Sequence, residues 1–114
     1  MEVQGKHAER FQALEKALEY QPDNNAARHQ YGVALSKANR TQDAINEFSK
    51  IIDSEASKTP PSMTLLVSLK TRMINYRRMN RTEEFQRDLR WSEEILSQYP
   101  HLSSEAHQFA EFYE

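Results

Sequence analysis

The amino-acid sequence predicts an all-α fold, an antiparallel helix-hairpin solenoid of about six helices in a single domain. Three observations lead there. The chain holds only two Gly and four Pro, and every Pro stands at a break between apolar stretches, as in helices joined by short loops. Within the stretches, apolar residues return at three- and four-residue spacing, and no window shows the β-branched alternation of a strand. Finally, Asn39-Arg40-Thr41 is echoed by Asn80-Arg81-Thr82, about 40 residues on, a period typical of stacked helix pairs.

The first helix is expected over about 6–20, with Phe11, Leu14 and Leu18 on one face and Ala13 and Ala17 beside them. Pro22 ends it, because proline cannot continue a helix, and Asp23 or Asn24 is suited to cap the next. The second, about 24–38, puts Ala27, Tyr31, Ala34 or Leu35, and Ala38 on one stripe. Asn39 tolerates the left-handed conformation that closes a helix, and Thr41 is expected to cap the third, about 41–54, which carries Ala44, Ile45, Phe48, Ile51 and Ile52. Thr59-Pro60-Pro61-Ser62 restarts the chain, with Pro tolerated in a first turn. The fourth helix, about 61–79, sets Leu66, Leu69, Met73 and Tyr76 in a stripe widened by Leu65 and Ile74. The fifth, about 82–98, shows Phe85, Leu89 and Leu96 with Trp91 and Ile95 alongside, and Tyr99-Pro100 stops it. A sixth, about 103–113, carries Ala106, Phe109, Ala110 and Tyr113, with Ser103 as its cap.

Composition narrows the function classes. Leu, Ile, Val and Phe make up close to a fifth of the chain, near the line below which disorder sets in. The net charge of only −2 argues for a folded domain with a thin, extended core. The absence of Cys excludes disulfides, thiolate metal sites and a cysteine nucleophile, and leaves the redox compartment open. No apolar run is long enough to span a bilayer. Met1 to Arg10 lacks the apolar stretch of a signal peptide, which favours the cytoplasm as an expectation.

Charge is unevenly spread. Residues 56–90 hold eight Lys or Arg against three acids, and no acid occurs between Glu55 and Glu83, whereas residues 91–114 hold five Glu and no cation. Such a run is either a solvated, internally neutralised face or a site for an anionic partner. His7, His29, His101 and His107 include no pair at the spacing that puts two imidazoles on one helix face, so no metal site is expected. Glu83-Glu84 and Glu93-Glu94 read as solvated acids at a helix start or on an exposed face. With no P-loop, nucleophile elbow or dinucleotide fingerprint, neither an enzyme nor a cofactor is expected.

Residue spacing then points to a family. Arg28-x2-Tyr31-Gly32-x2-Leu35 followed by Ala44-x3-Phe48 resembles a tetratricopeptide repeat, whose pattern is W-x2-L-G-x2-Y, then A-x3-F, then P. Gly32 weighs most physically: inside a helix it costs about 1 kcal/mol relative to Ala, so its presence predicts a neighbouring helix packed close against it. Leu14, Ala17 and Pro22 resemble the second helix of a preceding repeat, and Ala106-x2-Phe109-Ala110-x2-Tyr113 the first helix of a following one. Residues 1–22 are therefore expected to be a partial repeat or capping helix and 23–58 a repeat. Residues 59–100 form a longer divergent repeat, and 101–114 a partial repeat or C-terminal capping helix. By the Asn-Arg-Thr register, Gly32 corresponds to Met73 and Ala44 to Phe85, so both small packing positions are filled in the divergent repeat.

What the resemblance implies is a non-catalytic protein–protein interaction scaffold, with the first helix of each repeat lining a concave groove that binds a partner peptide or helix. The facing positions are then His29, Val33, Ser36 and Lys37 on the second helix, Lys70, Ile74, Arg77 and Arg78 on the fourth, and His107 with Glu111 on the last. Such a groove is basic with an apolar floor at Val33 and Ile74, and suits an acidic, partly hydrophobic partner. In members that clamp C-terminal carboxylates, a Lys and an Asn stand where this chain has His29 and Val33, which argues against that use. Two alternatives stay open. One is self-association or docking within a larger assembly through Ala106, Phe109, Ala110 and Tyr113, giving a homo-oligomer. The other is a nucleic-acid adaptor using the basic helix 61–81, against which stand the modest overall charge and the place of Tyr76 on the core stripe. Trp91 and Tyr99 are expected to serve packing.

Overall fold

The structure, a computed structural model, describes residues 2–102, with side chains from Glu9 onward. Among the described residues there are five α-helices and no strand: α1 (Glu2–Tyr20), α2 (Asn25–Lys37), α3 (Thr41–Glu55), α4 (Met63–Arg78) and α5 (Thr82–Gln98). Each packs against the next along the chain, which is the all-α, stacked-hairpin architecture expected. The sixth helix expected over about 103–113, with Ser103 as its cap, falls outside the described residues.

Two contiguous apolar clusters form the core, and α3 supplies both. Phe48, Ile51 and Ala44 join Leu35 of α2, with Phe11, Tyr31 and Val33 packed on them. Ile52, one residue round the helix, joins Leu65, Leu66 and Leu69 of α4, Ile95 of α5 and Leu102, with Trp91 and Tyr99 at the edge. Both aromatics therefore serve packing. The core is a strip running from helix to helix, so every helix owes its burial to its neighbours.

The turns show why the helices follow so closely. Asn39 and Asn80 both adopt positive φ, 63° and 58°. Behind Asn39, the Arg40 amide donates to the Leu35 carbonyl at 2.9 Å and the Asn39 amide to that of Ser36 at 3.1 Å. Behind Asn80, Arg81 donates to Tyr76 at 2.9 Å and Asn80 to Arg77 at 3.0 Å. These paired bonds are the Schellman closure, which satisfies the last carbonyls of a helix. The expectation that Thr41 caps α3 is corrected: Arg40 occupies that position without a side-chain cap, and Arg81 does the same before α5. One residue ends the closing motif and begins the next helix, so Thr41 and Thr82 are already helical. Asn24 does cap α2, its side chain accepting from the Ala27 amide at 3.2 Å. The start of α4 is also corrected: Ser62 accepts from the Leu65 amide at 3.1 Å, leaving Pro60 and Pro61 ahead of the helix instead of in its first turn.

Gly32 sets the spacing of α2 on α3. A Cβ placed there would stand 2.8 Å from Cζ of Phe48 and 3.0 Å from its Cε1. The Phe48 ring is fully enclosed and held edge-on by His29, with centroids 5.5 Å apart, so it has little room to retreat. In an exposed helix Gly→Ala gains up to about 1 kcal/mol, whereas overpacking a core costs about 1–3 kcal/mol. The enclosed ring decides the sign: Gly32→Ala is expected to lower stability by about 1–2 kcal/mol in urea unfolding. Phe48→Leu in the same chain should return part of that loss, as coupled neighbours do.

Candidate functional site

Acidic residues partition by helix. Neither α2 nor α4 contains a single Asp or Glu, while α1, α3 and α5 carry all the helical acids of the described residues. The two acid-free helices touch. Ser36 of α2 donates its hydroxyl proton to Oδ1 of Asn75 at 2.9 Å, and Asn75 in turn donates to the Thr71 carbonyl at 2.8 Å. Nη1 of Arg78 donates to the Ser36 hydroxyl at 2.9 Å and to its carbonyl at 3.2 Å. Ser36, which the Asn-Arg-Thr register sets opposite Arg77, thus lies between Asn75 and Arg78.

The residues expected to face a partner fall into distinct settings. His29, Val33, Ser36 and Lys37 share one face of α2 by their helical spacing, and Lys70, Ile74, Arg77 and Arg78 share one of α4. Lys37, Arg77 and Arg78 are exposed, and Lys70, Ile74, Val33 and His29 are half-buried. Ser36 is buried and its hydroxyl is committed to the α2–α4 contact. His107 and Glu111 lie outside the described residues, as do Ala106, Phe109, Ala110 and Tyr113. No acid of the described residues pairs with Lys37, Lys70, Arg77 or Arg78.

Other members of the basic run are committed inside the fold. Arg72 grips Asp88 through two bonds, Nε to Oδ2 at 2.7 Å and Nη2 to Oδ1 at 2.6 Å, and Nη1 reaches the Ser49 hydroxyl at 3.1 Å. Asp88 is fully enclosed. Burial pulls the Arg72 guanidinium toward lower pKa, but the hydrogen bonds and charge of Asp88 outweigh it and the net shift is upward. Arg81 pairs with Glu84, which holds that carboxyl below its usual range, and lies over the Tyr76 ring, 5.1 Å from the centroid. Tyr76 itself is buried. Half-buried Arg28 occupies the Trp position of the repeat pattern, where it meets buried Glu47 at 2.7 Å and the Pro22 carbonyl at 2.6 Å. Nothing in local periodicity marks these pairs, because their partners sit on other helices. Among the described residues no group of His, Asp and Glu is placed to hold a metal, and no helix is long and apolar enough to cross a membrane.

A tetratricopeptide repeat family model matches residues 4–60, which span α1 to α3 and reach the prolines before α4. The chain belongs to the tetratricopeptide repeat family. Comparison with curated proteins and with solved structures gives no match. Tetratricopeptide repeat domains are typically non-catalytic and serve as protein–protein interaction scaffolds, and here α4 and α5 extend the same stacked helical pattern beyond the matched residues.

Two measurements probe these settings. Asp88→Ala leaves a buried guanidinium without its carboxylate and is expected to cost about 3–5 kcal/mol in denaturant unfolding. Replacing both partners, Arg72→Met with Asp88→Leu, should restore most of it, since an apolar pair of similar volume is often neutral. Burial holds the His29 imidazole below its ordinary value of 6.5. The unfolded chain therefore binds the proton more readily than the folded one, and stability falls as pH drops below about 6.5. Unfolding midpoints between pH 7.5 and 5 should show this slope, and His29→Gln should flatten it relative to the parent.

Proposed function

We propose that this chain is a non-catalytic module that holds an acidic, partly apolar peptide or helix of a partner protein against the exposed face of α2 and α4. The observation that carries this reading is the acid-free pair α2 and α4. Lys37, Lys70, Arg77 and Arg78 lie on them without a carboxylate from the described residues, beside half-buried Val33 and Ile74. Cations left unneutralised on one surface attract an anionic partner and raise its on-rate. Apolar side chains between them give that partner something to bury. A nucleic-acid role is less well supported. The one aromatic of the basic run, Tyr76, is buried under Arg81 and offers no stacking surface.

The test is a binding isotherm. Lys70→Glu with Arg77→Glu is expected to weaken capture of the native partner, recovered from cell extract and identified by mass spectrometry, at least about tenfold. The thermal unfolding midpoint should stay close to that of the parent, because neither side chain pairs with an acid of the described residues. Unchanged affinity ends the assignment of this face.

A further inference from the structure

Arg72 and Arg78 use one guanidinium edge in the same way. In Arg72, Nη1 rests on the hydroxyl of Ser49 from α3, and the remaining fork, Nε with Nη2, closes on the carboxylate of Asp88. In Arg78, Nη1 rests on the hydroxyl of Ser36 from α2, with a second bond to the Ser36 carbonyl. Its Nε and Nη2 have no partner among the described residues, and the side chain is exposed. The serine anchor is thus common to both, and no carboxylate among the described residues completes the second. Ser36 is itself held by buried Asn75, so the anchoring atom does not wander.

We propose that the Nε–Nη2 fork of Arg78 is a preset receptor for one carboxylate of the partner, an Asp or Glu side chain held bidentately as Arg72 holds Asp88. This rests on the α2–α4 face being the partner surface. It goes further by naming the residue that reads a carboxylate as distinct from negative charge in general. A guanidinium held by one edge loses less freedom on binding than a free one, and its fork matches a planar carboxylate where a lysine ammonium offers only a point charge. Ser36 is a positioning residue, acting through Arg78. The surroundings also set a spacing. Ile74 lies one turn before Arg78 on the same face of α4, so an apolar seat stands next to the stem that carries the fork. The favoured partner segment therefore holds its acid at one defined spacing from an apolar side chain.

Composition isomers test this with the full chain. The probes are fluorescein-labelled decapeptides of identical net charge, amidated at the C-terminus, in which one Leu is followed by a single Glu after one, two, three or four residues. Fluorescence anisotropy should single out one isomer as tightest. Arg78→Lys, which keeps the charge, should abolish that ranking and cost about tenfold in affinity. Ser36→Ala should do so in part and Ser36→Thr, which keeps the hydroxyl, should restore it, while circular dichroism confirms that each variant is folded. Equal binding of all isomers, or parental binding by Arg78→Lys, overturns the receptor. If Lys70→Glu with Arg77→Glu still weakens binding in that case, the face itself stands. Failure of every isomer to bind the parent, or indifference to Lys70→Glu with Arg77→Glu, overturns the face as well. A preference appearing only with a free C-terminus reassigns the fork to a terminal carboxylate and overturns the side-chain proposal.

Discussion

Contact between the α2 backbone at Gly32 and the ring of Phe48 governs how closely the first complete hairpin can shut, and much of the remaining arrangement follows from it. With the ring pressed against bare backbone, Leu35 and Ala44 meet around it, and Ile51 extends the same cluster. Complete burial of one such aromatic is worth about 1.5–3 kcal/mol, an appreciable share of what holds a domain of this size together. Because Phe48 and Ile52 stand on adjoining sides of α3, the seating of α2 also orients the side of α3 that receives α4.

Superimposed on the apolar strip is a division of charge. Acids collect on α1, α3 and α5, where Glu47, Asp88 and Glu84 each meet an arginine of their own or a neighbouring element. The helices between them carry cations only. Two of these cations, Arg28 and Arg72, turn inward and bind the fold together across helices. Arg78 also bonds across to Ser36 while staying exposed, and Lys37, Lys70 and Arg77 have no acid partner among the described residues. Electrostatics thus does two separate jobs in one short chain, and the position of each cation relative to the helix contacts decides which job it has.

Much of this was legible in the residues. Apolar spacing marks each described helix to within a few residues. The cost of an interior glycine announced the close approach at Gly32, and Asn39 and Asn80 announced the left-handed closures. The cap at Thr41 was misplaced because a complete Schellman closure uses its second outer residue, Arg40, as the next helix's first neighbour, a coincidence that local preference does not reveal. Arg28, Arg72 and Asp88 were illegible for another reason. Charged residues are almost never fully buried unless paired, and their partners lie 16 to 19 residues away. Ser36 likewise reads as a surface position until α4 is laid beside it. Of the basic run, Arg72 and Arg81 are occupied by acids within the fold, and neither stands among the residues expected to face a partner.

The joints between helices differ in kind. At Asn39-Arg40 and Asn80-Arg81 the main chain itself is bonded across the bend, with no spare residue, so these corners behave as stiff elbows whose angle is written in backbone geometry. The link from Ala56 to Ser62 is longer, and residues 56–60 are exposed. Insertions and proteolytic nicks are tolerated where backbone is exposed and little bonded. Extra sequence acquired over evolution, or a reporter grafted by hand, would accordingly be absorbed at this seam, leaving the two elbows untouched.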